Sequence, residues 1–149
     1  MQGKVVAITG ASRGIGAAAE RVFARAGAKE ALLARSRAEI DALAAEIGAS
    51  GPVALCIVAS GLLSDGDLQP EKTYRALSAD AFAPVFEANT IAPALIAKHF
   101  LPLMPKAERS VFAALSARVG SISDNRIGGW HAYRASKAAL NMLIRNYAI

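Results

Sequence analysis

A tyrosine and a lysine, Tyr133 and Lys137, stand four residues apart in a segment whose apolar residues recur at helical spacing. Side chains four residues apart lie on one face of a helix, so the phenol and the ammonium can share one site. A nearby ammonium favours tyrosinate and lowers the pKa of the phenol from its usual value of about 10. The pair therefore predicts a proton donor and acceptor for the interconversion of a carbonyl and an alcohol.

A second candidate site is a turn with three glycines, spaced G-x-x-x-G-x-G, between an apolar run and a segment of helical spacing. Glycine permits a tight turn and close approach of the main chain to a ligand, and the free N–H groups of a helix start favour an anion. We expect this turn to bind the pyrophosphate of a dinucleotide, although a glycine-rich turn without a ligand is the alternative. The residues expected to contact the cofactor are Gly10, Ser12, Arg13, Gly14, Ile15 and Gly16.

The end of the second predicted strand indicates which dinucleotide this would be. NAD sites usually place an acid there to accept the ribose 2′-OH, whereas NADP sites lack the acid and offer arginine to the 2′-phosphate. Here the strand ends in Leu-Ala-Arg-Ser-Arg, with Arg35 and no carboxylate, and Arg13 lies inside the glycine turn. We therefore expect NADP(H) in preference to NAD(H). The alternative for Arg35 is an ordinary surface cation.

The elements that must position these residues follow from the apolar pattern. Apolar runs without polar alternation are typical of buried parallel strands, and they cover residues 4–9, 31–35, 53–59 and 110–115. Helices are predicted from the glycine turn to Gly27, after Ser36, over about 80–99 and over 133–149. Pro84 fits the third helix only within its first turn. The apolar stripe of the first helix comprises Ile15, Ala18, Ala19, Val22, Phe23 and Ala26.

This alternation of strands and helices predicts an α/β fold in which helices cover both faces of a parallel sheet. The expected architecture is a Rossmann-like, doubly wound, three-layer α/β/α domain. At 149 residues the chain is long enough for one such domain, 1–149, and too short for two ordinary ones.

Three segments in order resemble the short-chain dehydrogenase/reductase family. They are Thr-Gly-Ala-Ser-Arg-Gly-Ile-Gly at 9–16, Asn-Thr at 89–90 and Tyr-Arg-Ala-Ser-Lys-Ala-Ala-Leu-Asn at 133–141. The stretches 111–120 and 128–133 are similar to the carbonyl-reductase, C-factor-like branch of that family. The resemblance implies an NADP(H)-dependent oxidoreductase acting on a carbonyl or alcohol.

The resemblance also assigns roles. Tyr133 would be the catalytic acid and base, and Lys137 would hold the nicotinamide ribose and tune Tyr133. Asn89 would support a proton-relay water beside Lys137, a role that is compatible with a helix-interior amide bonded to the neighbouring main chain. The family further implies a dimer built from helices 80–99 and 133–149. The apolar outer faces of these helices carry Ala94, Leu95 and Leu143.

Two positions depart from the family pattern. Ala117 stands where the family has a serine that holds the substrate carbonyl, so Ser116, which is adjacent, or Ser121 would have to replace it. The family's Asn-Asn-Ala-Gly appears as Val-Ala-Ser-Gly, and Ser60 and Gly61 would line the adenosine side of the cofactor.

The chain is also shorter than the family. Between Gly16 and Gly61 there is room for one strand–helix–strand unit rather than two, so the strand at 53–59 is either the third or the fourth of the family, and we take it as the fourth. The chain ends at Ile149, which predicts an open sheet edge and an incomplete nicotinamide side of the pocket. The alternative function is therefore a non-catalytic homologue that binds a dinucleotide or a partner chain, and the substrate stays open.

Composition bears on the remaining function classes. The net charge is +5, but the basic residues are scattered, so a solvated basic surface is favoured over a nucleic-acid site. No apolar run reaches the length of a membrane span, and no histidine, cysteine and carboxylate cluster suggests a metal. One cysteine, Cys56, lies in an apolar run and no signal peptide is visible, so we expect a cytoplasmic protein.

Overall fold

The computed structural model describes residues 1–12, 14–33 and 44–149. The strands are β1 (Val5–Thr9), β2 (Lys29–Leu33), β3 (Val53–Val58) and β4 (Val111–Ala114). The helices are α1 (Gly14–Arg25), α2 (described for residues 44–49), α3 (Ala79–Phe86), α4 (Ala92–Phe100) and α5 (His131–Tyr147). Short 3-10 turns lie at Tyr74–Ala76, Leu101–Leu103 and Arg118–Gly120. The predicted order of strands and helices is confirmed, and the ends that lie within the described residues differ by one or two residues. The predicted start of the second helix after Ser36 and the predicted end of the second strand at Arg35 lie outside the described residues.

The four strands form one parallel sheet in the order β2-β1-β3-β4. The chain passes from β1 to β2 on one side, then returns to the other side of β1 for β3 and β4. This reversal defines a doubly wound sheet, so the predicted Rossmann-like α/β fold is confirmed.

The position of β3 decides which family strand it represents. It pairs with β1 on the side away from β2, with Cys56 opposite Ala7. In the strand order 3-2-1-4-5-6 of this fold, the strand beside the first on that side is the fourth. The structure therefore agrees with our assignment of this strand as the fourth.

All five residues of β1 are buried. Successive side chains of a strand point to opposite faces, so Val5 and Ala7 are covered on one face and Val6 and Ile8 on the other. Burial on both faces explains why this run is apolar without alternation.

The main core lies on the face of Val5 and Ala7. Right-handed crossovers that move in opposite directions across a sheet place their helices on opposite faces, so α1 and α2 cover different faces. Ala44 and Ile47 of α2 pack with Ile96 and Phe100 of α4 and with Cys56 of β3 in one buried cluster.

The buried face of α1 differs from the predicted stripe. Ile15 and Val22 are 66% and 61% exposed, and Gly16 is the buried residue of this helix. A Cβ at Gly16 would collide with the carbonyl oxygen of Gly10. The helix therefore approaches its own preceding turn through a glycine, which a search for large apolar residues cannot detect.

The predicted helix over 80–99 is present, but a π-helical segment, Glu87–Ile91, separates α3 from α4. Ser78 caps the start of α3, since its Oγ accepts a hydrogen bond of 3.1 Å from the Ala81 N–H. This start places Pro84 in the second turn, so the expectation of a first-turn proline was wrong. π segments of this kind are frequent at functional sites, and this one contains Asn89.

The chain divides into two compact units. The first comprises Met1–Ser60 and Leu95–Leu115 and contains the sheet, α1 and α2. The second comprises Gly61–Ala94 and Ser116–Ile149 and contains α3, the π segment and α5. Across the described ranges, no helix combines the length and the apolar character that a membrane span requires.

Candidate functional site

Two of the three glycines of the turn are required by close packing. Gly10 has a left-handed backbone (φ 67°), and a Cβ there would lie 2.9 Å from the Ser60 nitrogen. Gly16 leaves room for the carbonyl of Gly10, as described above. The turn, the start of α1 and the loop after β3 are therefore held together main chain to main chain.

Gly14 is different. It also has a positive φ (61°), but a Cβ there would meet nothing within 4 Å among the described atoms. It is the first residue of α1, whose first turn carries no acid. Free helix N–H groups beside open space and without a nearby carboxylate suit a phosphate.

Thr9, the last residue of β1, connects the start of the glycine turn to the loop after β3 through its side chain, and it was not predicted as a site residue. Its Oγ1 accepts hydrogen bonds from the Ala59 N–H (3.1 Å) and the Ser60 N–H (3.4 Å), and lies 3.3 Å from the Ser60 Oγ. The side chain is buried. Its signal in the sequence is a hydroxyl residue at the end of a buried strand, directly before the first glycine.

The other residues predicted to contact the nucleotide lie at the glycine turn or outside the described residues. Ser12 and Ile15 are exposed at the turn, and Ser60 lies against Gly10. Arg13 and Arg35 lie outside the described residues.

Tyr133 and Lys137 lie one turn apart on α5, as their spacing predicts. Lys137 is 3% exposed, and its Nζ lies 5.8 Å from the centroid of the Tyr133 ring, within the range of a cation–π contact. Tyr133 is half-buried.

The electrostatics of this pair differ from the prediction. Burial raises the pKa of Tyr133 from its ordinary value of 10.0 and lowers the pKa of Lys137 from 10.5. Desolvation disfavours the charged form of each group, the phenolate of Tyr133 and the ammonium of Lys137. The expected lowering of the Tyr133 pKa was therefore wrong.

Asn89 is fully buried, and its side-chain amide pairs with the main chain of Leu62. The Leu62 N–H donates to Oδ1 and Nδ2 donates to the Leu62 carbonyl, each at 2.8 Å. Nδ2 also donates to the Ser136 Oγ at 3.0 Å. Asn89 thus joins the π segment to the loop after β3 and to α5. These contacts are those of a helix-interior amide bonded to main chain, and the proton-relay role of Asn89 stays a prediction.

Gly61 lies against two other predicted residues. A Cβ at this position would be 3.4 Å from both the Asn89 Oδ1 and the Lys137 Nζ. The structure therefore brings Gly61, Asn89 and Lys137 together, with Tyr133 one helical turn from Lys137.

Ser136 was missed by the sequence reasoning. Its Oγ donates to the Tyr133 carbonyl (2.8 Å) and accepts from Asn89, while the Thr90 Oγ1 donates to the Ser136 carbonyl (3.0 Å). Its only signal is a small polar residue inside a helix that otherwise buries apolar side chains. It docks α5 onto the π segment immediately before Lys137.

The two serines considered for the substrate carbonyl have other partners. The Ser116 Oγ donates to the Asn141 Oδ1 at 2.6 Å. The Ser121 Oγ accepts from the Asp124 N–H at 3.2 Å. Both are on the loop after β4, and Ser116 is exposed whereas Ser121 is half-buried.

The acidic residues around Gly66, the metal-ligating residue types and the cysteine do not indicate a further site among the described residues. Asp65 and Leu68 form a short bridge, which agrees with a turn around Gly66. No group of metal-ligating side chains occurs among the residues that the structure describes. Burial raises the pKa of the Cys56 thiol to about 12, as in an inert core cysteine.

Comparison with known proteins bears on this arrangement. The sequence model of the short chain dehydrogenase family matches residues 4–64. The chain is 30% identical, over 172 aligned positions, to short chain aldehyde dehydrogenase 1 of Euphorbia lathyris, covering 98% of this chain and 58% of that protein. It superposes on an alcohol dehydrogenase of Thermococcus sibiricus complexed with 5-hydroxy-NADP with a TM-score of 0.74 and 26% identity, covering 97% of this chain and 69% of that one.

This chain belongs to the short-chain dehydrogenase/reductase family. It is also 38% identical over 64 residues to C-signal of Myxococcus xanthus, covering 43% of this chain and 39% of that protein. That similarity agrees with the C-factor-like branch. The chain spans less than two thirds of the length of both curated relatives.

Proposed function

We propose that this short-chain dehydrogenase/reductase domain, residues 1–149, transfers hydride between NADP(H) and a carbonyl or alcohol, with Tyr133 as the acid and base. The observation that supports this most is the meeting of Gly61, Asn89 and the buried Lys137, one helical turn from a half-buried tyrosine. Burial disfavours the charge of Lys137, and perturbed ionisable groups of this kind are frequent at functional sites.

The glycine turn fits a dinucleotide. Gly14 opens the start of α1, while Gly10 and Gly16 hold the turn close to Ser60, so that main-chain N–H groups rather than side chains meet the phosphate. Ser12 and Ile15 are exposed at the same turn. When bound, NADP(H) supplies or accepts the hydride.

The preference for NADP(H) rests on the sequence. Arg35 replaces the acid typical of NAD sites, and Arg13 supplies a second cation for a 2′-phosphate. The complex of the Thermococcus sibiricus relative with 5-hydroxy-NADP is consistent with this choice.

Tyr133 transfers the proton in this proposal, and Lys137 and Ser116 support it. The raised pKa of Tyr133 keeps its phenol protonated at neutral pH, so it can donate to the oxygen of a carbonyl during reduction. Lys137 binds the nicotinamide ribose and lies close enough to the Tyr133 ring to stabilise negative charge that develops there. Ser116, once released from Asn141, orients the carbonyl, with Ser121 as the alternative.

Two further properties belong to this proposal. A homodimer would use the outer faces of α4 and α5, where Ala94, Leu95 and Leu143 are partly exposed apolar residues. A cytoplasmic location suits the single, buried Cys56.

Binding and turnover are tested separately on the purified chain. Titration with NADPH, followed by nicotinamide fluorescence, measures binding, and NADPH oxidation with a panel of aldehydes and ketones measures turnover. We expect Tyr133→Phe to reduce turnover by about 10² to 10⁴-fold with unchanged NADPH binding. The matched control is Tyr74→Phe, which removes a hydroxyl from an exposed ring and should change neither quantity.

The outcomes separate the candidates. NADPH binding without turnover on any carbonyl would favour the non-catalytic homologue, as the alanine at position 117 suggests. Undiminished turnover of Tyr133→Phe would refute the mechanism.

A further inference from the structure

Helix α5 begins in an unusual way, two residues before Tyr133. Its N-cap residue, Trp130, has a left-handed backbone (φ 50°, ψ 45°) and makes no side-chain capping hydrogen bond. It is the one residue other than glycine with a positive φ in the described ranges. A residue with a side chain is strained in this region and persists there only where its surroundings hold it.

Glu71, in the loop before α3, supplies what the cap lacks. Its main-chain carbonyl accepts the Trp130 N–H, and its side-chain Oε2 accepts the Ala132 N–H at 3.3 Å. One residue, 61 positions away in sequence from Ala132, therefore holds both sides of His131. Its carbonyl also lies 3.5 Å from where a Cβ of Gly129 would be, so the approach to the helix is close-packed as well.

The Glu71 side chain is only 6% exposed. Its second oxygen, Oε1, is buried and has no hydrogen-bond partner within the described part of the chain. A buried carboxyl group with an oxygen that has no hydrogen-bond partner is costly, so its presence in a native protein calls for an explanation. The start of a helix offsets part of that cost through its dipole.

Trp130 links this arrangement to Tyr133. The two rings meet edge to face, with centroids 6.4 Å apart and planes at 76°. The Trp130 carbonyl accepts the first helical hydrogen bond from the Arg134 N–H at 2.8 Å, and the Arg134 Nε donates to the Gly129 carbonyl at 3.0 Å. The backbone of Trp130 thus sets both the start of α5 and the wall against which the tyrosine ring packs.

We propose that Glu71 is the positioning residue of Tyr133, acting through the left-handed Trp130 that it fixes at the start of α5. This inference rests on the proposed function, in which Tyr133 transfers the proton. Glu71 acts at a distance and touches neither the cofactor nor the substrate.

The test uses three variants of the whole chain. Glu71→Gln keeps a side-chain oxygen for the Ala132 N–H, and Glu71→Asp keeps the acid but is too short to reach that N–H. Glu71→Ala removes the side-chain contact with Ala132 and keeps the main-chain contact with Trp130. The control is Glu46→Gln, at an exposed position of α2. The chain has one tryptophan, so its fluorescence reports Trp130 alone.

We expect Glu71→Ala and Glu71→Asp to shift the Trp130 emission and to increase its quenching by acrylamide. In Glu71→Gln both quantities should match those of the original chain. With an active chain, kcat should fall about tenfold to 10²-fold in Glu71→Ala and less in Glu71→Asp, since a displacement of about 1 Å costs that much. The NADPH dissociation constant should stay within about twofold of the original, because the glycine turn is untouched.

Several results would overturn the inference. One is Trp130 emission in a folded Glu71→Asp or Glu71→Ala chain that matches the original. Another is altered emission with full kcat. If the chain shows no turnover at all, the proposed function fails, and Tyr133 ionisation is measured by tyrosinate absorbance, as the difference between each chain and its Tyr133→Phe partner. An unchanged Tyr133 titration in Glu71→Asp then overturns the positioning role, and a changed one supports it.

Discussion

The side chain of Asn89 and the main chain of Leu62 form a reciprocal pair of hydrogen bonds, each 2.8 Å long. The Asn89 Nδ2 also donates a hydrogen bond to the Ser136 Oγ. The amide therefore connects three segments, and both N–H groups of its nitrogen already donate to partners within the protein.

Replacing Asn89 by alanine leaves the N–H and the carbonyl of Leu62 without their partner inside the protein. We expect a loss of about 2 to 4 kcal/mol in the free energy of unfolding, because each stranded group costs its desolvation. Urea denaturation measures this loss, with the exposed Asn146→Ala as the control. A loss equal to that of the control would show that the pairing contributes nothing.

Gly14 and Gly3 provide a matched pair for the phosphate site. Both have a positive φ, 61° and 68°, and a Cβ at either meets nothing within 4 Å. Alanine should therefore cost each about the same stability, roughly 1 kcal/mol. Only Gly14→Ala should weaken NADPH binding, by about tenfold or more, because its methyl group enters the space proposed for the phosphate. Equal NADPH affinities in the two variants would contradict the site.

Arg35 is proposed to recognise the 2′-phosphate. We expect Arg35→Ala to raise the dissociation constant for NADPH by about tenfold to 10²-fold, the equivalent of one charge-assisted hydrogen bond, and to leave that for NADH unchanged. Arg25→Ala, at the last turn of α1, is the control. Parallel loss of both cofactors would assign Arg35 another role.

The raised pKa of Tyr133 predicts opposite pH dependences for the two directions of reaction. Carbonyl reduction needs the protonated phenol and should be constant from pH 7 to about 9, below the ordinary pKa of tyrosine. Alcohol oxidation needs the phenolate and should rise throughout that range. The measurement is kcat/KM against pH in each direction, and a reduction rate that already falls near pH 7 would contradict this prediction.

Cys56 should make the fold sensitive to alkali. Its pKa in the folded chain is raised from 9.0 to about 12, so its contribution to stability is complete below pH 9 and is lost as the pH rises toward 12. The loss from one thiol is about 1.4 kcal/mol per pH unit in that window. Cys56→Ala is less stable at neutral pH because of the cavity but should show a shallower decline above pH 9. Parallel declines of the two chains in urea denaturation would refute this.

The sequence predicted those parts of the site that depend on local spacing. Tyr133 and Lys137 share a helix, and the three glycines share a turn, so their relative positions follow from the geometry of one element. Glu71, Thr9 and Ser136 escaped because each acts on a segment distant in sequence through a single polar contact, which leaves no periodic pattern.

The prediction of the fold also succeeded where a local sequence pattern exists and failed where it does not. Buried strands of a parallel sheet are visible as apolar runs, and the glycine after β3 identified that strand. The π segment and the left-handed Trp130 leave no such trace, because both depend on how a helix is held by its neighbours. The burial of α1 through Gly16 was hidden because the residue in contact has no side chain.

Residue 61 limits which side chains can occur at three places in the chain. A methyl group there would just fit at 3.4 Å from the Asn89 oxygen and the Lys137 nitrogen, whereas a β-branched side chain would overlap one of them. A larger residue at 61 is therefore compatible with this fold only if residue 89 or 137 changes with it. Among natural or designed variants, a larger residue at 61 should therefore be accompanied by a different residue at 89 or at 137.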